Sequence, residues 1–485
     1  MKKIILSMAL MIFLSSNIQS KSIRAYFSYS IFNTPDNKPY IETYMTVQSA
    51  SIVNLPQENG SYSGELNVQV IFRQNDSIVN FGKYMVNTPE IKDTVSNSVN
   101  FIDVQRYSLP IGVYDMELTL DDPNSPEEPI VSTTSFIVEF PLDSLSFSDI
   151  EFLSSFKKDQ AEDILNKHGY KVVPYVFNYF PEDESSLNFY AEIYHADKSV
   201  ADEYVVYSYI RPFEVDKKLD QFFYMRKMSA KSIDVMINTI DIKQLPTGNY
   251  LLVMEARNRN NELIANKELF FYRENPNAEF NMTNVLLTDV AKTFVDNIDN
   301  RDTLALYIDY LYAISTAAEK MYIKSQLLSA DLNELQKYFY NFWYERNNLD
   351  PEGAWLSYLE RVEQANNDFK TVALPGYLSD RGRVYLQYGK PNAIAESHHE
   401  PAAFPYEIWH YYNINGQRDK KFVFYTQEIA TNDFQLLHSD VVGELANYHW
   451  QRQLYSRTWD PYSIDDVIVP NSYGSFATDY YRQPR

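Results

Sequence analysis

Near the end of this chain lies its densest group of side chains able to do chemistry. Asp380, Arg381 and Arg383 fall within four residues, and His410 and His438 follow. Two guanidinium forks oriented by an aspartate would make a site for a carboxylate or another anion, with a histidine as base. The same residues have a plainer use. An Asp at a turn accepts backbone N–H bonds, and an Arg beside it pairs to fix the chain direction. The structural use is preferred, which leaves Asp380, Arg381, Arg383, His410 and His438 as reserve catalytic candidates and no assigned catalytic residue.

Other combinations fall away on spacing. His398, His399 and Glu400 are consecutive, and adjacent residues seldom converge on one ion. They also lack the helical two-histidine spacing of zinc proteases. His168, His195 and His449 make no pattern. The acidic stretch around Asp121, Asp122, Glu127 and Glu128 lacks the alternating ligands and glycine of a calcium loop, so it reads as a solvated hairpin tip. No phosphate-cradling glycine loop and no Gly-x-Ser-x-Gly elbow occur. The expectation is no metal and no cofactor.

Bulk properties narrow the partners. The chain has no cysteine, which excludes disulfides, thiolate metal sites, cysteine nucleophiles and an N-terminal lipid on cysteine. A net charge of −22 repels phosphate backbones and anionic head groups, so nucleic acid is not an expected partner. Forty tyrosines fit β-sheet surfaces and wet interfaces. Glycan binding would need a coplanar row of exposed Tyr or Trp. Residues 1–20 read as a signal peptide: Lys2 and Lys3, an apolar run from Ile4 to Leu14, and a cut after Ser20. The expectation is export to the periplasm, the outer membrane or the exterior, as a non-lipoprotein with no transmembrane segment after cleavage. Minimal Asp-Ser/Thr-aliphatic glycosylation patterns begin at Asp76, Asp93, Asp143 and Asp302, with Ser77 and Thr94 as acceptors.

The positioning elements come in three blocks. Tyr40-Ile41-Glu42-Thr43-Tyr44 is echoed by Tyr190-Ala191-Glu192-Ile193-Tyr194. Leu109-Pro110-Ile111-Gly112-Val113-Tyr114 is echoed by Leu245-Pro246-Thr247-Gly248-Asn249-Tyr250. The order is the same, which points to duplicated domains. After each Pro/Gly turn apolar residues alternate: Tyr114, Met116, Leu118 and Leu120, then Tyr250, Leu252, Met254 and Ala256. Residues 21–142 and 143–273 therefore read as two all-β sandwiches of immunoglobulin or fibronectin type. Residues 274–298 read as a linker, and 299–485 as an α+β domain with a helical lead-in. Asp331 with Glu334 signals a capping box, and Asp350-Pro351 a second helix start. Leu332, Leu335, Tyr338, Phe339, Phe342 and Trp343 form one apolar stripe; Trp355, Tyr358, Leu359, Val362 and Phe369 form another. The alternation of Val384, Leu386 and Tyr388 predicts a strand ended by Gly389-Lys390-Pro391. Tyr406–Tyr412 and Phe422–Tyr425 are further strands.

This third block resembles the GWxTD domain family, named for a Gly-Trp-x-Thr-Asp signature. Here the signature reads Gly376-Tyr377-Leu378-Ser379-Asp380, with Tyr for Trp and Ser for Thr, followed by Arg381-Gly382-Arg383. Tyr358–Val362 with Ala365-Asn366, Tyr388–Pro391, Tyr406–Trp409 and Leu437–Ser439 resemble the flanking segments. The resemblance covers roughly residues 300–445 and implies a Bacteroidota-type exported protein of no established activity. A non-catalytic binding or scaffold role toward an envelope protein or surface component is therefore expected. The alternative is an envelope hydrolase acting on peptide or glycan through the C-terminal domain. Oligomeric state is left open.

Overall fold

A computed structural model describes residues 23–34, 36–75, 77–92, 100–141, 143–200, 202–276, 278, 289–326, 329–414, 417–447, 450–455 and 476–482. The expected signal peptide, Asp76, Asp93, Thr94, His449 and much of the 274–298 segment lie outside the described residues.

By contacts the chain divides into two compact units. One comprises residues 1–142 and 156–176, the other 143–155 and 177–485. In the first unit strands β1 (Ala25–Phe32), β2 (Tyr40–Gln48) and β5 (Asn100–Ser108) form one antiparallel sheet in the order β1-β2-β5. Strands β3 (Glu65–Gln74), β4 (Ser77–Asn87), β6 (Gly112–Asp121) and β7 (Ile130–Val138) form the other, in the order β4-β3-β6-β7. The inward positions of β6 predicted from alternation are all buried.

The second unit begins with the same plan. Strand β8 (Ser186–Tyr194) pairs β11 (Ile233–Asp241), as β2 pairs β5. Strands β10 (Phe223–Ser229), β9 (Glu203–Pro212), β12 (Gly248–Arg257) and β13 (Leu263–Arg273) repeat the path β4-β3-β6-β7, with Tyr179–Phe180 added parallel to β13.

Side chains repeat as well as strands. The Tyr114 hydroxyl donates to the Pro110 carbonyl at 2.8 Å, and that of Tyr250 to Pro246 at 3.0 Å. Each ring stacks on its cross-strand partner, Phe136 or Phe271, with centroids 5.7 Å apart in both. This is the corner tyrosine of Greek-key sandwiches, which ties a strand to the turn before it. The other echo buries one glutamate per sandwich. Glu42 accepts from Arg106 and Lys167, each at 2.5 Å. Glu192 accepts from Tyr190 and Tyr194 at 2.7 and 2.6 Å. A buried carboxylate needs such donors to offset its lost hydration.

The C-terminal part opens with helices α1 (Arg301–Tyr310), α2 (Ala317–Gln326), α3 (Leu332–Arg346) and α4 (Pro351–Asp368). Asp331 and Glu334 close the capping box at α3, and Asp350 caps α4 with Pro351 in its first turn. Their apolar stripes meet in one core with Trp343, Trp355 and Tyr358 at its centre. Val290 and Val295 join that core, so the end of the expected linker is packed structure.

The strand expected at Val384–Tyr388 is instead a helix, α5 (Asp380–Tyr388). Ser379 caps it by accepting from Gly382 N, and Gly389 ends it at φ +81°. Those start and stop signals outweigh a three-residue alternation, because the spacing of Val384 and Tyr388 is equally one helical turn. Helix α5 lies on a meander of β14 (Ala393–Ser397), β15 (Tyr406–Ile414), β16 (Gln417–Tyr425) and β17 (Gln435–Ser439). The domain is α+β, with the sheet buried on both faces.

Candidate functional site

The signature forms an elbow between α4 and α5. Gly376 opens a 3₁₀ turn so near α4 that a Cβ there would sit 1.9 Å from the Ala365 carbonyl oxygen. A Cβ on Gly382 would sit 1.8 Å from the oxygen of Gly376. Both positions therefore exclude any side chain. Between them the Ser379 hydroxyl donates to Gly376 O at 2.7 Å and accepts from Gly382 N at 3.0 Å. Tyr377 plugs the helical core. Its hydroxyl donates to Asp309 at 2.5 Å, its N–H donates to Asn366, and its ring meets Tyr310 edge-on. Burial first, and then the Asp309 carboxylate, raise its hydroxyl pKa.

Beyond the elbow each charged signature side chain reaches the sheet. Asp380 Oδ2 accepts from Leu436 N at 2.7 Å and so holds β17. Arg381 is buried. One guanidinium nitrogen donates to Glu407 Oε1 at 2.6 Å, and the other to Asn432 O and Oδ1 at 3.0 and 2.6 Å. Its cation stands 4.3 Å from the centre of the Phe434 ring. The other Glu407 oxygen accepts from Trp409 Nε1 at 2.9 Å. Arg383 makes two 2.8 Å bonds to Glu444, which also accepts from the Tyr388 hydroxyl.

The histidines belong to a different layer. Strand β15 turns Glu407, Trp409 and Tyr411 toward α5, packed with Val384, Phe422 and Phe424. Tyr406 and Ile408 face the other way with Val423, Leu437 and Trp450. His410 shares that second face by alternation and bonds Asp419 at 2.7 Å. His438 stands opposite Val423 and stacks on Trp450. Its Nδ1 accepts from Asn447 N, and burial pulls its pKa down to about 4. Asp380, Arg381 and Arg383 thus converge on one face of the sheet, while His410 and His438 lie on the opposite face.

Two other acidic groups are buried, Asp122 in place of the solvated hairpin tip expected for its stretch. Glu400 is buried, accepting from the hydroxyls of Tyr406 and Tyr455. Asp122 is buried and bonds the N–H groups of Val53 and Asn124. Glu407, Asn432, Glu444 and Asp309 escaped the sequence reading because each lies dozens of positions from its partner, with no local spacing to mark it. Among the described residues Trp343, Trp355, Trp409 and Trp450 are all buried, and no row of them faces solvent.

A duplicated sandwich followed by a mixed domain braced by a Gly-Tyr-x-Ser-Asp elbow defines the class of protein. Residues 283–452 match the family model of the GWxTD domain, so the chain carries a GWxTD domain. No curated protein matches the sequence. Solved structures with similar parts include a glycosyl hydrolase family 2 member from Bacteroides cellulosilyticus. It has 9% identity over 47% of this chain and 28% of its own, with a TM-score of 0.17. Fibronectin(III)-like modules of Clostridium thermocellum CbhA match at 9% identity over 50% of this chain and 89% of theirs, with a TM-score of 0.14. A putative beta-galactosidase from Bacteroides fragilis matches at 9% identity over 47% and 32%, with a TM-score of 0.17. The chain thus spans about 28% of the first of these proteins, and likenesses at this level bear on neither activity nor substrate.

Proposed function

We propose that this is an exported cell-envelope protein whose GWxTD domain is a non-catalytic binding module for a protein partner, with the sandwiches as spacer or docking modules. One observation carries the reading: every polar side chain of the signature is consumed in bracing, and the loops it braces present apolar residues to solvent. Val372, Leu374 and Leu378 lead into and through the elbow, and Ile429 lies on the facing turn, all exposed. Val372 N donates to Thr431 O, and Asn432 Nδ2 donates to Lys370 O, so the two loops are sewn together. Exposed aliphatic residues on a stiff support are what a protein interface uses, since little ordering entropy remains to be lost on binding. The hydrolase alternative needs Asp380 and His410 or His438 in one cleft, and the sheet stands between them.

In-cell crosslinking with mass spectrometry tests this. A specific envelope partner should be recovered with the wild-type chain and lost with Leu374→Glu/Leu378→Glu. Recovery of no specific partner by the wild type, or equal recovery by both, contradicts it. Fractionation of cells tests export, which requires the chain outside the cytoplasm.

A further inference from the structure

We propose that Glu396, His398 and Glu407 form a binding site for a divalent transition-metal ion of the zinc class. Glu396 on β14 stands directly opposite Glu407 on β15 in the antiparallel ladder. His398, one residue past the end of β14, is two residues beyond Glu396 and so returns to the same face. One ligand atom from each lies within 4.8 Å of the others. Consecutive residues such as His398 and His399 point apart in extended chain, whereas alternate residues share a face, and the third ligand comes from the neighbouring strand.

The arrangement is costly without a cation. Like charges directly opposite each other in a ladder repel. Arg381 compensates Glu407, whereas the basic nitrogen facing Glu396 is His398 Nε2, 4.0 Å away and beyond hydrogen-bond reach. That Nε2 is buried and has no hydrogen-bond partner. A desolvated imidazole nitrogen facing two carboxylates across such a gap is the geometry a metal ion closes. Closing it to ligand distances of about 2.0–2.2 Å needs shifts of only about half an ångström in long side chains. Imidazole with two carboxylates suits zinc-class ions and leaves a coordination position for water. Arg381 and Trp409, donating to the two oxygens of Glu407, would orient that ligand as supporting groups commonly do. The net charge of −22 draws cations to the surface.

Equilibrium dialysis of the full chain against zinc chloride at neutral pH, with elemental analysis, tests the site. One equivalent more zinc should be retained by the wild type than by Glu396→Gln/His398→Ala, and zinc should raise the melting temperature of the wild type only. His399→Ala, one residue away and exposed, should behave as wild type. Circular dichroism and the zinc-free melting temperature establish that the double variant folds. Equal retention by wild type and folded double variant overturns the site, as does loss in His399→Ala equal to that in the double variant. If the double variant does not fold, Glu396→Gln alone, at an exposed position, carries the same comparison.

Discussion

Gly376 and Gly382 face backbone oxygens at distances no side chain can share, and backbone cannot swing aside as a flexible side chain can. Gly382→Ala should therefore cost about 3 kcal/mol in urea denaturation, with expression reduced. A loss below about 1 kcal/mol would mean the elbow relaxes freely. Arg381 and Glu407 make a different demand. Removing one partner strands a buried charge, so Arg381→Met should cost about 3–5 kcal/mol. Adding Glu407→Gln, which keeps an acceptor for Trp409, should restore most of that, and a double-mutant cycle reads the coupling. His438 sets a pH limit. Its folded pKa of about 4 lies below the ordinary 6.5, so between those values the unfolded chain binds the extra proton. Above about pH 6.5 the group contributes no slope, and as pH falls from there toward 4 stability drains. The ring is buried, so the loss approaches about 3 kcal/mol by pH 4. His438→Gln should flatten the midpoint between pH 6.5 and 4, and an unchanged slope would locate the effect elsewhere.

At the scale of elements, duplication makes a quantitative demand. Tyr114 and Tyr250 hold the same turn by the same bond and stack on the same partner position. Tyr114→Phe and Tyr250→Phe should each cost about 1 kcal/mol, read by chemical denaturation, and by matching amounts. A large effect in one sandwich and none in the other would deny the equivalence. These strands were legible in the sequence because alternation over ten residues has one face to bury, and α3 and α4 were legible from their caps and stripes. Helix α5 was not, since a nine-residue segment offers too few positions to separate period two from period 3.6, and Ser379 and Gly389 were the only decisive marks. Residues 156–176 were not legible as part of the first unit either. Lys167, which salt-bridges Glu42, lies 125 positions from it, and no local pattern announces such a pairing. The same holds for the site: the elbow was visible as a motif, while Glu407 and Glu444, which receive its arginines, were visible only as residues of other segments.

On the scale of the whole molecule, the second sandwich and the GWxTD domain fall within one compact unit, and their side chains explain why. Tyr388, at the end of α5, packs against Phe213, Leu251 and Val253 of the sandwich. Phe270 on β13 lies against Gly443, where even a Cβ would stand 3.3 Å from its ring. Lys217 pairs with Glu345 on α3. Because Tyr388 also donates to Glu444, which receives Arg383, the apolar contact continues into the signature helix. Stability should therefore propagate between the two. Val253→Asp places a charge where the residue is 1% exposed, a cost of several kcal/mol unless the contact opens. Opening it frees Tyr388 and loosens the carboxylate that Arg383 grips. Hydrogen exchange should consequently quicken not only in β12, where the substitution lies, but also across residues 380–388 and 441–444, more than 120 positions away in sequence. Acceleration confined to β12 and its ladder neighbours would show that the sandwich and the signature helix keep separate stabilities.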